Sequence, residues 1–189
     1  MKTAIIALSS CSAMTQSRKH DTPKTSDREG AADYEARTWI NKAHFTADDR
    51  VFIPAFALKC STVAAARYTG DTIPGKGKST WTKKLQSGLL IPDDAVTNRK
   101  RADIVAVTIN ANADGVRGSG KRVSRTFPTL TQWEAKVTVY VLDDIITKDV
   151  LQKYFTYAGQ FIGVGQYRPE NGGTNGRFKA TVESFAEMS

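Results

Sequence analysis

An α+β chain, with an antiparallel sheet and helices on one face, is what this sequence predicts, and three observations predict it. Residues 134–143 (EAKVTVYVLD) place Ala135, Val137, Val139 and Val141 at alternate positions, the period of a half-buried strand. Residues 147–159 read as a helix, with Thr147 as N-cap, Asp149 in the first turn and Gly159 at the stop. Residues 176–185 alternate again, with Phe178, Ala180 and Val182 on one face. The opening third repeats this strand–helix–strand order with weaker periodicity, and two such halves around a long insertion make a split βαβ, ferredoxin-like sheet. At 189 residues and 40% hydrophobic, the chain is expected to form a single domain, 1–189, with an insertion at 70–102 and a basic hairpin finger at 111–126.

The elements follow in order. Residues 3–14 carry enough Ile and small residues for a central strand. Lys2, a short apolar run and Leu-Ser-Ser-Cys resemble a lipoprotein signal, but the run Ala4 to Leu8 is shorter than a signal core of roughly 7–15 residues. The strand is the better reading, and a cytoplasmic protein of a bacterial cell, with no membrane partner, is expected. Residues 15–33 are polar and rich in breakers, hence a loop. Residues 31–45 suit a helix whose acids lie early and whose Lys42 and His44 lie late.

Val51 to Ile53 reads as a short strand, Pro54 as a helix start, and Ala55 to Tyr68 as a helix stopped by Gly70. Residues 70–102 have no clean period and read as the insertion, carrying a mobile basic loop. Residues 103–110 and 122–130 read as paired strands across a glycine-rich tip.

Charge narrows the function. The formal net charge is +8 and the pI about 9.5, so the surface field favours polyanions, nucleic acid first among them. Cys11 and Cys60, with His20 and His44, have no metal-ligand spacing; buried free thiols are expected, and no metal or cofactor.

GDTIPGKGKST fails as a phosphate loop. Counted from Gly70, Gly77 falls where Ser or Thr must hold magnesium, and Pro74 interrupts the turn. What remains is Lys76, Lys78, Lys83 and Lys84 around Trp81, charge for phosphates with a ring for bases. A second basic group spans Arg99, Lys100 and Arg101, then Arg117, Lys121, Arg122 and Arg125, with few acids nearby. The stretch FIGVGQYRPENGGTNGRF follows a helix and precedes a strand, the reverse of a dinucleotide fingerprint. It reads as a loop laid across a sheet, with Arg168 and Arg177 as phosphate donors and Tyr167 as a stacking ring.

A helix, a glycine-rich loop and a last strand resemble the hallmark of the RAMP superfamily, the RRM-like proteins of CRISPR effector complexes. VFIPAFALKCSTVAAARY is similar to a second hallmark: Ile53, Pro54, Leu58 and Lys59 match, while Cys60 stands where glycine is usual. The chain also resembles a group of phage and prophage proteins, so a phage-encoded origin is consistent with the sequence. The resemblance implies an RRM-like fold and sequence-independent binding of single-stranded RNA or DNA along a filament of repeated copies. The glycine loop, Lys59 and the thumb-like insertion would grip the backbone, with Arg18 and Lys19 added from the loop after the first strand. It also implies an alternative, an RNA endonuclease using Asp21 beside His20. A third reading is an interaction or inhibitor protein on the same fold, without tight nucleic-acid binding.

Overall fold

Ala4, Ile6 and Leu8 are almost wholly buried, which explains why the first strand lies inside the sheet rather than at its rim. The computed structural model describes residues 1–112, 120 and 122–188. In chain order its elements are β1 (Lys2–Ser10), β2 (Met14–Thr15), α1 (Ala31–Thr38), β3 (Arg50–Ile53), α2 (Ala55–Thr69), α3 (Trp81–Gly88), β4 (Leu89–Leu90), β5 (Ala95–Lys100), β6 (Val105–Asn112), β7 (Arg122–Leu130), β8 (Glu134–Val141), α4 (Lys148–Tyr157) and β9 (Phe178–Glu187).

The main sheet runs β3-β5-β8-β1-β9, with β4 also paired to β8. β1 is antiparallel to both neighbours; Ile6 lies opposite Val137 of β8 and Val182 of β9. The order β5-β8-β1-β9 is that of a ferredoxin-like sheet, so the expected α+β class is the one the chain adopts. One sheet face buries Val137, Val139, Ala180 and Val182 under α2 and α4. The other leaves Lys136, Glu183 and Ile5 to solvent. α4 is capped as its sequence requires, the Thr147 hydroxyl accepting from the Val150 amide at 3.3 Å. It buries Leu151 and Phe155, each worth roughly 1.5–3 kcal/mol.

A second sheet, β2-β7-β6, stands beside the first. The strand expected over 3–14 is in fact broken. The Cys11 and Ser12 amides turn away to the Arg177 carbonyl, at 2.8 and 3.3 Å, and the chain re-enters as β2, where Met14 faces Leu130. The helix expected over 31–45 ends at Thr38 and tightens into a 3₁₀ turn, Trp39–Lys42. β6 and β7 pair from Val105↔Thr129 to Asn112↔Arg122. The tip of the finger expected at 111–126, with Arg117 and Lys121, lies outside the described residues.

Residues 70–102, expected as an insertion with a mobile basic loop, are largely built into the body. α3 buries Trp81 and Leu85, four residues apart and therefore on one face; Trp81 packs 6.3 Å from the Tyr154 ring. Residues 70–80 fold into a closed turn, the Ile73 amide donating to the Ser79 carbonyl at 2.8 Å. β5 joins the main sheet, and the Thr97 hydroxyl donates to the Val51 carbonyl at 2.7 Å. Cys11 and Cys60 are exposed, contrary to expectation: Cys11 sits at the turn out of β1, and Cys60 is on the outer face of α2. No helix among the described residues is long and apolar enough to cross a membrane.

Candidate nucleic-acid interface

The start of α2 is fixed before any ligand enters. Pro54 cannot donate and stands at the N-cap, and the Ala55 amide donates to Asp94 Oδ1 at 2.8 Å. One face of the helix, Leu58, Thr62, Ala65 and Ala66, goes to the core. The opposite face carries Phe56, Lys59, Cys60 and Arg67, and these form one wall of a cleft of about 740 Å³. Its other wall is the glycine-rich loop, Ile162 to Gly165 with Arg168. Ser61 joins the walls, its hydroxyl donating to the Gly163 carbonyl at 3.0 Å.

The loop is held by its own chain. The Val164 amide donates to the Gly176 carbonyl at 3.0 Å, the Gly176 amide to Ala13 at 2.7 Å, and the Gln166 amide to Thr15 at 2.8 Å. These bonds fasten the loop across the ends of β1 and β2. Its glycines thus let one part of the protein approach another, Gly165 passing the Thr15 carbonyl and Gly176 the Val164 carbonyl, and Arg168 is the loop's charged side chain in the cleft wall.

A second cleft of about 750 Å³ lies between this loop and the β6–β7 hairpin. Lys42, Arg122, Arg125, Phe127 and Tyr167 line it. A smaller one of about 240 Å³ links the two, with Gln16, His44 and Pro54 in its walls. It shares Ala57, Gly165 and Arg168 with the first cleft, and Ser17 and Gln166 with the second. The three form one continuous groove from α2, over the glycine loop, to the hairpin.

Not every cation in the groove is equally available. Among the described residues Lys59, Arg67 and Arg122 have no ion-pair partner. Arg168 is engaged by Glu170, with Nε and Nη2 donating to one carboxylate oxygen at 2.9 and 2.8 Å. His44 is held below its ordinary imidazole value, first by burial and then by the positive charge of Arg18, so it is neutral at pH 7. Tyr167, with φ of 56°, sets its ring edge-on to Phe127 at 5.7 Å; burial raises its hydroxyl.

Glu35 of α1 holds the hairpin wall in place. It accepts from the Lys42 ammonium and from the Thr126 amide at 2.8 Å, and Arg125 stands 3.5 Å away. Lys42 also donates to the Thr126 carbonyl at 2.8 Å and lies 4.8 Å over the Phe127 ring. Burial alone would raise the Glu35 carboxyl, but the Lys42 and Thr126 hydrogen bonds and the charges of Lys42 and Arg125 outweigh it and hold it below the usual carboxylate range. A depressed carboxylate contributes stability above its unfolded pKa, near 4.3, and loses it as pH falls through the lower folded value. Glu35→Gln is expected to cost about 2 kcal/mol at pH 7, lowering Tm by about 4–8 °C. Melting curves of the two proteins should converge as pH falls below about 4; a constant gap would mean that the charge is not the cause.

The groove thus gathers Lys59, Arg122, Arg125, Tyr167 and Arg168 from the sequence-derived candidates, with exposed Arg18 and Lys19 following Ser17 at its middle. It excludes others. Trp81 is only 8% exposed and offers no stacking face, because its ring closes the α3 side of the core. Lys76, Lys78, Lys83 and Lys84 are exposed but line none of the three clefts, and Lys84 pairs with Asp143 at 3.0 Å. The Arg177 guanidinium turns back to the Gln160 carbonyl. His20 Nδ1 is 2.9 Å from the Thr22 hydroxyl and its ring stacks on Tyr34, so it is not joined to the exposed Asp21. Sequence reasoning missed Phe56, Arg67, Lys42 and His44. The signal for the first two was present, since Phe56, Lys59, Cys60 and Arg67 share one face at helical spacing.

No protein-family model matches the chain, and no curated protein matches it. Solved structures do. The chain is similar to one in the cryo-EM structure of the Type III-B Cmr-beta bound to cognate target RNA, with a TM-score of 0.55 and 13% identity; 98% of this chain is covered, but only 61% of that one. It is also similar to the crystal structure of Cmr6 from Pyrococcus furiosus, with a TM-score of 0.53 and 10% identity over 95% of this chain and 98% of the other. These likenesses are of fold, and the fold is the one that the RAMP resemblance implies.

Proposed function

We propose that this chain binds single-stranded nucleic acid, without regard to sequence, in the groove between α2, the glycine-rich loop and the β6–β7 hairpin. Repeated copies lie along one strand. The carrying observation is the groove's continuity: three clefts share walls, and Lys59, Arg67 and Arg122 reach it without a carboxylate partner among the described residues. Phosphates need cations at intervals and bases need exposed rings, and Phe56, 77% exposed beside Lys59, supplies a ring. The Cmr-beta complex, one chain of which this protein resembles in fold, is bound to cognate target RNA, which makes RNA the first strand to try.

The test is binding of labelled single-stranded RNA, single-stranded DNA and duplex over a salt series. Three phosphate contacts predict a log–log salt slope of about −2 for single strands, and duplex binding at least tenfold weaker at about 0.15 M salt. Equal, weak affinity for all three would sink the proposal and favour a protein partner. Imaging the complexes on grids reads the filament, and the length of the recovered RNA reads any cleavage by Asp21.

A further inference from the structure

We propose that the strand's path ends on an aromatic platform formed by Tyr68 and Phe161, on which one nucleobase stacks; this rests on the groove being the single-strand interface. Tyr68 is 66% and Phe161 41% exposed, yet their rings lie 5.3 Å apart and 24° from parallel. That geometry is an offset stack. It joins α2 to the turn that follows α4. Tyr157 meets the second ring edge-on at 5.6 Å and fixes it from behind.

Its place in the fold points to a base. Ala64 and Arg67 line the first cleft, and Tyr68 lies one helical turn beyond Ala64. Ile162 lines the opposite wall, and Phe161 precedes it. The pair therefore bridges the two walls where α2 ends. Phe161 points outward because residues Ala158–Ile162 form a π turn, whose extra residue sends Ile162 into the core, 3% exposed, and its neighbour to solvent. Cations accompany the rings: Arg67 stands in the cleft, and the Lys153 ammonium lies 5.8 Å from the Tyr157 ring while pairing with Asp71 at 2.8 Å. Two exposed rings, continuous with a cationic groove and adjoining Arg67, match a base beside a phosphate.

Photo-crosslinking of an oligo-4-thiouridylate to the whole chain, with the linked peptides identified by mass spectrometry, tests the platform. Crosslinks are expected at Tyr68 or Phe161 in addition to the α2 wall. Tyr68→Ala should weaken binding by about 5- to 150-fold, Tyr68→Leu should do the same although it keeps apolar cover, and Tyr68→Trp should restore affinity. Because Tyr68 is mostly exposed and loses only its stack on Phe161, each variant should melt within about 6 °C of wild type and be fully folded at the assay temperature. Binding with crosslinks that reach Phe56 or Lys59 but neither Tyr68 nor Phe161, or Tyr68→Leu binding like wild type, overturns the platform and leaves the groove standing. A wild type that binds no single strand overturns both.

Discussion

Lys59→Glu combined with Arg122→Glu is expected to reduce affinity for single-stranded RNA by about 10²–10⁴-fold near physiological salt. Hydrogen bonds to charged groups contribute about 1.5–3 kcal/mol each, and two are lost here. The residues stand at opposite ends of the groove, Lys59 on α2 and Arg122 on β7. The same variant should flatten the salt slope by about 1.4, since each phosphate contact on a single strand contributes roughly 0.7. Lys76→Glu with Lys78→Glu is the matching control. It changes net charge equally, but these lysines line none of the three clefts. Its effect should stay below about tenfold, the share due to the overall field. Equal losses in the two variants would show that net charge, not the groove, attracts the strand.

Gly176→Ala is expected to be strongly destabilising. At φ of 76° an L side chain is strained, and an added Cβ would stand 1.8 Å from the Val164 carbonyl oxygen. Val164 is tied to the same place by its own amide, which donates to the Gly176 carbonyl at 3.0 Å, so the loop must open to make room. A cost of about 3 kcal/mol corresponds to a fall of about 6–12 °C in Tm, and the groove's shared wall would be lost with it. Gly77→Ala separates strain from crowding: its φ is also positive, 60°, but nothing lies within 4 Å of the added atom. It should cost about 1 kcal/mol. If both variants melt alike, the close approach at Gly176 does not constrain the loop.

The parts of the fold legible in the sequence were those where period and burial coincide. β8 and β9 alternate cleanly, and both have one face in the core. α3 was hidden because eight residues give only two buried anchors, Trp81 and Leu85, and the lysines between them make the segment look wholly polar. β5 was hidden because its two buried positions are the small Ala95 and a threonine, Thr97, whose hydroxyl is satisfied by a backbone carbonyl. Cys60 was misjudged for the opposite reason: the small apolar neighbours that suggested burial belong to both faces of α2, and only one is inside. In the groove, the glycine loop and the basic hairpin could be read directly. Lys42 and His44 could not, because they reach it through tertiary folding of the turn after α1.

β1 has a consequence for assembly in time. Both of its neighbours come from the last third of the chain, β8 beginning at Glu134 and β9 ending at Glu187. At a synthesis rate of about 5–20 residues per second, the first strand waits on the order of ten to thirty-five seconds for its last partner to be made. A run of buried-type residues, Ala4, Ile6 and Leu8, has both edges unpaired until β8 is made, and one edge unpaired until β9 follows. Unpaired apolar strand edges are the kind of surface that holding chaperones cover, and a sheet closed by strands this distant in sequence is expected to fold slowly, which stopped-flow refolding would measure.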